Sequence, residues 1–261
     1  MRRANVLIVI LLASLALVLI ACGKDTETTG AATQAAPATT ATAATTATTA
    51  TTATATTAKT TTAAAAAKRA DGCTTVPTPQ PAADPNAKRS KRKLDPKRVW
   101  FATIRTNCGT IKLRLAVGRA PKTTSAWAGL ARAKFFDGLT FHRIAKPGGN
   151  DFVIQGGDPE GTGNGGPGYS VVEAPPKNTK YTRYVAAMAK TATEAAGTSG
   201  SQFFIVTAPD AGLPPDYAVL GEVVGSKAAV KRIAAVPTDP STEAPLEPVV
   251  MQSVRITSTA R

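Results

Sequence analysis

All thirteen aromatic residues of this chain lie between Trp100 and Tyr217, which fixes where a hydrophobic core can form. Before residue 99 the only sustained apolar stretch is an N-terminal run, and the rest of that region has too little to bury to fold by itself. Of the 261 residues, about 160 remain for one domain with a single core. The chemistry is bounded as well. His142 is the one histidine, so zinc sites built on several histidines are excluded, and any Ser/His/Asp or Cys/His nucleophile would need that residue. The cysteines Cys22, Cys73 and Cys108 are too scattered for a CxxC metal knuckle. No metal and no cofactor is expected.

The N-terminus reads as an address. Met1-Arg2-Arg3 is a positive n-region, and Val6–Ile20 is apolar except for Ser14. As a helix this run reaches only ~22 Å, short of the ~30 Å hydrocarbon core, so it fits a secretory signal better than a membrane span. Leu19-Ile20-Ala21-Cys22 resembles the lipobox of bacterial lipoproteins. The resemblance implies a signal peptide over 1–22 and Cys22 as the first mature residue, carrying a diacylglyceryl thioether. The protein is then exported and lipid-anchored on the outer face of the cell membrane. The alternative is an ordinary signal peptide with an incidental cysteine.

Residues 23–98 read as a disordered linker. Positions 31–67 are Ala and Thr except for Gln34, Pro37 and Lys59, and Val76–Pro85 is Pro-rich and extended. As a flexible chain such a linker spans roughly 50 Å, enough to hold a domain clear of a membrane. It also carries much of the net charge of +14, notably in Lys88–Lys93 and Lys97-Arg98. That run either favours an anionic surface or is simply a solvated, self-repelling linker end. No aromatics are interleaved for base stacking, so no nucleic-acid partner is expected. With Cys22 lipidated, Cys73 and Cys108 remain as a pair, and outside the cytoplasm they are expected to form a disulfide rather than two exposed thiols.

From Val99 onward the pattern is mostly strands. Val99–Ile104 and Thr110–Leu115 flank the Asn107-Cys108-Gly109 turn as a hairpin. Further strands are predicted at Thr140–Ile144, Phe152–Gln155, Tyr184–Ala189, Gln202–Thr207, Ala218–Val224 and Val249–Ile256. Helices are predicted from Ala120 to Ala133, with Pro121 in the first turn, and from Lys227 to Ala234. The expected fold is mainly β: a closed eight-stranded antiparallel barrel capped by two helices.

Three motifs say more: Phe135-Phe136-Asp137-Gly138-Leu139-Thr140-Phe141-His142-Arg143-Ile144, Phe152-Val153-Ile154-Gln155-Gly156-Gly157-Asp158-Pro159 and Gly200-Ser201-Gln202-Phe203-Phe204-Ile205. Each resembles the cyclophilin family of peptidyl-prolyl isomerases, in the family's order. Ala120-Pro121-Lys122-Thr123 and Val219-Leu220-Gly221 extend the resemblance over nearly all of 99–261, the expected isomerase domain.

The resemblance assigns the catalytic site to Arg143, Phe152 and Gln155. It places Phe152, Phe204 and Leu213 in a proline pocket with Val153 at its edge, and Ala189, Lys190, Thr191, Gln202 and Tyr217 along the substrate groove. The chemistry suits the residues. Amide resonance sets an X–Pro barrier near 18–20 kcal/mol, and crossing it takes tens to hundreds of seconds. Lowering the barrier needs no nucleophile, only a held, twisted amide and a fixed cation for the developing lone pair on nitrogen. Arg143 supplies an always-protonated planar fork. His142 reads as a hydrogen-bonded structural residue. Gly161–Gly166 formally matches GxGxxG but reads as a surface loop, because Pro167-Gly168 argues against a helix opening there.

Departures from the family pattern are specific. Ala145–Asp151 is longer than in compact members and is expected to place a mobile loop beside Arg143. Gly212 stands where many cyclosporin-sensitive members carry tryptophan, and Tyr217 where histidine is common. Lys190 is expected to favour acidic substrate segments. The function read from these residues is prolyl isomerisation in exported proteins, by a monomer whose partners are proline-containing segments. The alternative is a non-catalytic proline-peptide binding or scaffold module on the cell surface.

Overall fold

Buried and exposed side chains alternate along β1 (Arg98–Thr106) and β2 (Gly109–Leu115), so Ala102, Ile104, Ile111, Leu113 and Leu115 all face one core. The computed structural model describes residues 67–80 and 85–261. The expected signal segment, Cys22 and nearly all of the Ala/Thr tract lie outside the described residues. After β2 come α1 (Pro121–Arg132), β3 (Arg143–Ala145), β4 (Val153–Gly156), β5 (Val171–Val172), β6 (Val185–Met188) and β7 (Thr198–Ser199). Then follow β8 (Phe203–Val206), β9 (Val219–Val224), α2 (Ala228–Ala235) and β10 (Met251–Ala260).

Eight strands form one antiparallel sheet in the order β10-β1-β2-β9-β6-β8-β4-β3, with β5 and β7 pairing separately. The sheet curls, and its seam closes without a regular ladder. Phe141 N donates to Val249 O, Gly138 N to Met251 O, and Met251 N to Leu139 O. Arg143 begins the third strand, whereas Thr140 makes only isolated bridges to Asp158 and Val250. Inside, Trp127 of α1 stacks on Phe136 at 4.7 Å and meets Phe203 edge-on at 5.5 Å, and Phe141 also packs on Phe203. Gly156 is required where β4 passes this segment, since a Cβ there would stand 2.7 Å from the Thr140 carbonyl oxygen.

The N-terminal boundary differs from expectation. Residues 67–80 and 85–97 are not a free linker; they are laid on the domain. Cys73 and Cys108 form a disulfide, Thr74 N donates to Asn107 O, and Asn107 Nδ2 returns a bond to Thr74 O. Leu94 is buried against the core with its N–H on Ser125 Oγ, and Trp100 Nε1 donates to Asp95 O. The composition of this segment is too poor in large apolar residues for it to fold alone. One leucine and one cysteine suffice when a finished surface is there to receive them. The basic residues of 88–98 stay exposed, and none is in an ion pair among the described residues. No helix of the described residues is long and apolar enough to cross a membrane.

Candidate active site

Strand alternation separates two apolar clusters. In β8, Phe203 and Ile205 join the barrel core, whereas Phe204 and Val206 join a second cluster on the outer face with Val153, Ala187, Tyr181 and Val219. Phe152, Ala189, Leu213 and Tyr217 pack on this outer cluster and remain half-buried. The outer cluster therefore has a buried floor beneath a half-buried, accessible rim. Phe204 and Val153 form the floor, at 4% and 3% exposure.

Register then aligns the polar groups. Arg143 pairs with Gln155, Gln155 with Phe204, Phe204 with Ala187, and Ala187 with Val219. One row thus crosses five strands, from a guanidinium through an amide to the apolar floor. Arg143 Nη1 donates to Gln155 Oε1 at 3.3 Å, Gln155 Nε2 to Gln202 Oε1 at 2.9 Å, and Gln202 Nε2 to Gly163 O and Gly165 O. Arg143 Nη2 makes no hydrogen bond among the described residues, where Nε and Nη1 are both engaged.

Tyr181 holds the rim. Its hydroxyl donates to Tyr217 O and accepts from Tyr217 N, while Phe204 and Tyr217 meet edge-on at 5.5 Å. Burial, the largest influence, pushes the Tyr181 hydroxyl up to about 12, so it stays a neutral donor. On the other side of Gln155 lies a cavity of about 590 Å³ lined by Gln155, Gln202, Ala189, Lys190 and Thr191. Pro85 and Asn86 of the docked N-terminal segment form part of its wall. Lys190 is tied down by Thr191 O and Glu194 O and lies 5.7 Å from the Tyr217 ring centroid.

The glycine loop after β4 belongs to this wall. Buried Asp158 accepts from Glu160 N and Gly163 N, and the next regular element is β5, so no helix opens on the loop as a dinucleotide site would require. The segment expected as a mobile loop is a short 3₁₀ turn, Pro147–Gly149, closed by Gly149 N to Lys146 O and Asn150 N to Pro147 O. Gly148 and Gly149 supply its positive φ angles. His142 also differs from expectation: both ring nitrogens are buried without a partner among the described residues. Burial, opposed by Asp158 and aided by Arg143, holds its pKa below the usual value, in the neutral form.

One further group touches Arg143, and no sequence motif points to it. Arg143 Nε donates to Glu243 Oε2 at 2.6 Å, across one hundred positions. Nothing local in the sequence marks Glu243, because the closed seam, not spacing, brings it there.

The family sequence model described as "Cyclophilin type peptidyl-prolyl cis-trans isomerase/CLD" matches residues 101–256. The chain belongs to the cyclophilin family. Peptidyl-prolyl cis-trans isomerase B of Streptomyces anulatus is 39% identical over 172 residues, covering 59% of this chain and 94% of that protein. Peptidyl-prolyl cis-trans isomerase A of Mycobacterium tuberculosis is 36% identical over 173 residues, with 59% and 91% coverage. A crystal structure of a Cryptosporidium parvum cyclophilin-type isomerase, in the presence of the dipeptide Ala-Pro, matches with a TM-score of 0.55 and 28% identity. That match covers 61% of this chain and 99% of the other. This cyclophilin is a peptidyl-prolyl cis-trans isomerase. Its matched region ends well short of the N-terminus, so the docked segment 67–80 and 85–97 lies outside the family match.

Proposed function

We propose that this cyclophilin assists the folding of exported proteins from a lipid anchor at Cys22, with Arg143, Phe152 and Gln155 as its catalytic groups. The observation that carries the site assignment is the row from Arg143 through Gln155 to Phe204. A proline ring seated among Phe152, Phe204 and Leu213 brings its nitrogen toward Arg143 Nη2. Donation from Nη2 to that nitrogen favours the twisted amide, in which the lone pair has left resonance, over the planar ground state. A rate gain on the order of 10⁵ needs about 7 kcal/mol of such differential binding. Gln155 and Gln202, locked to each other and to the glycine loop, hold substrate backbone while the bond turns. Lys190 and Thr191 border the groove beside them.

Titration with an Ala-Pro peptide is expected to shift the amide resonances of Phe152, Gln155, Phe204 and Tyr217. Shifts confined to other surfaces would contradict the site. The exported role is tested by refolding a secreted protein limited by prolyl isomerisation, where the protein is expected to remove the slow phase. Mass spectrometry of membrane-extracted protein is expected to find a diacylglyceryl group on Cys22; an unmodified cysteine there would remove the anchor.

A further inference from the structure

Glu243 sits in a left-handed backbone conformation, φ +59°, which is uncommon for a residue with a side chain. Such a conformation persists only where its surroundings fix it, and here they do. Asp239 Oδ1 accepts from Ser241 N, Ser241 Oγ, Thr242 N and Thr242 Oγ1, and Glu243 N donates to Asp239 O. Asp239 N returns a bond to Ala244 O, and Leu246 N one to Pro237 O, which close the loop at its base. The loop is then stitched to the catalytic strand, since Ile144 N donates to Glu243 O, one residue beyond Arg143. Backbone and side chain of Glu243 thus grip β3 at adjacent positions.

The consequence for Arg143 is geometric. A guanidinium on a flexible stem samples many rotamers unless its fork is held. Here Glu243 takes Nε and Gln155 takes Nη1, on different edges of the plane, leaving Nη2 as the unengaged end. The Arg143 side chain is 38% exposed, so packing alone does not fix it.

We infer that Glu243 is a positioning residue for isomerisation: its carboxylate locks the plane of the Arg143 guanidinium so that Nη2 meets the prolyl nitrogen of the turning bond. The inference rests on the assignment of Arg143 as the electrostatic catalyst. The loop of residues 237–246 is accordingly part of the apparatus that positions Arg143.

The test compares wild type, Arg143→Ala, Glu243→Ala, Arg143→Lys and the Arg143→Lys/Glu243→Ala double variant. The readouts are cis/trans exchange rates and peptide affinity on an Ala-Pro peptide, with the amide spectrum as a control for folding. Glu243→Ala is expected to lower kcat about tenfold to a hundredfold, the scale of a misplacement near 1 Å, while affinity changes less than about threefold. The Arg143 Nε–H resonance is expected to move and broaden. In the Arg143→Lys background, where no Nε fork remains, adding Glu243→Ala is expected to have little further effect. Three results would overturn the inference: wild-type kcat in Glu243→Ala, the same fractional loss in both backgrounds, or a loss carried entirely by affinity. Full activity in Arg143→Ala would instead refute the assignment of Arg143, and the inference with it.

Discussion

Phe203 and Phe204 are neighbours in β8 with different work to do. Phe203 is fully buried among Trp127, Phe136 and Phe141, so Phe203→Ala is expected to cost about 3–5 kcal/mol in denaturant unfolding. Phe204 lies in the outer cluster, in the proposed proline pocket, so Phe204→Ala is expected to weaken peptide binding about tenfold or more in a titration. Alternation within a strand made that division legible in the sequence, because its period of two is a local property. His142 carries a pH dependence. Its pKa in the folded protein lies below the ordinary 6.5, so the unfolded chain takes the proton first as pH falls. Its stabilising share is therefore complete above pH 6.5 and is lost on acidification below it. Thermal unfolding from pH 7 to 5 is expected to show this fall, with a shallower slope in His142→Gln.

Elements show where sequence reading ran out. The first helix has Ala120 at its N-cap, with no side-chain cap of its own. Glu173 supplies the missing acceptor from outside, taking the N–H groups of Lys122 and Thr123. Glu173→Ala is expected to lower stability by about 1 kcal/mol in a chemical melt, the usual worth of a cap. No capping motif could reveal it, since the partner lies fifty residues away. The two-residue strands β5 and β7 were invisible for a similar reason: periodicity needs more than two residues to be read. The segment ahead of β1 shows the same limit at greater length. It lacks a core but docks through Leu94 and the Cys73–Cys108 bridge. Replacing both cysteines with serine is expected to cost about 3–4 kcal/mol by chain entropy, measured by denaturant unfolding.

The described domain is built on a curled sheet whose closure brings residues 243–251 against 138–144. Strand periodicity and three motifs in order sufficed to read the fold and to name Arg143, Phe152, Gln155, Gln202 and Phe204 as candidates; the register that places Arg143 opposite Gln155 came only with the sheet. They could not give Glu243, because its approach to Arg143 depends on the seam between residues 138–144 and 243–251. Nor could they show that Pro85 and Asn86 wall the cavity beside Gln155. Contacts between distant segments are set by register and closure, and neither is written in any one segment. The proposed catalyst is one side chain, Arg143, and its readout is one rate. The direct measurement is cis/trans exchange of an Ala-Pro peptide by NMR, with wild type and Arg143→Ala at equal concentration. The expected result is fast exchange with wild type and a loss of a hundredfold or more with the variant, about 3 kcal/mol of transition-state stabilisation. Equal exchange with both proteins would contradict the account.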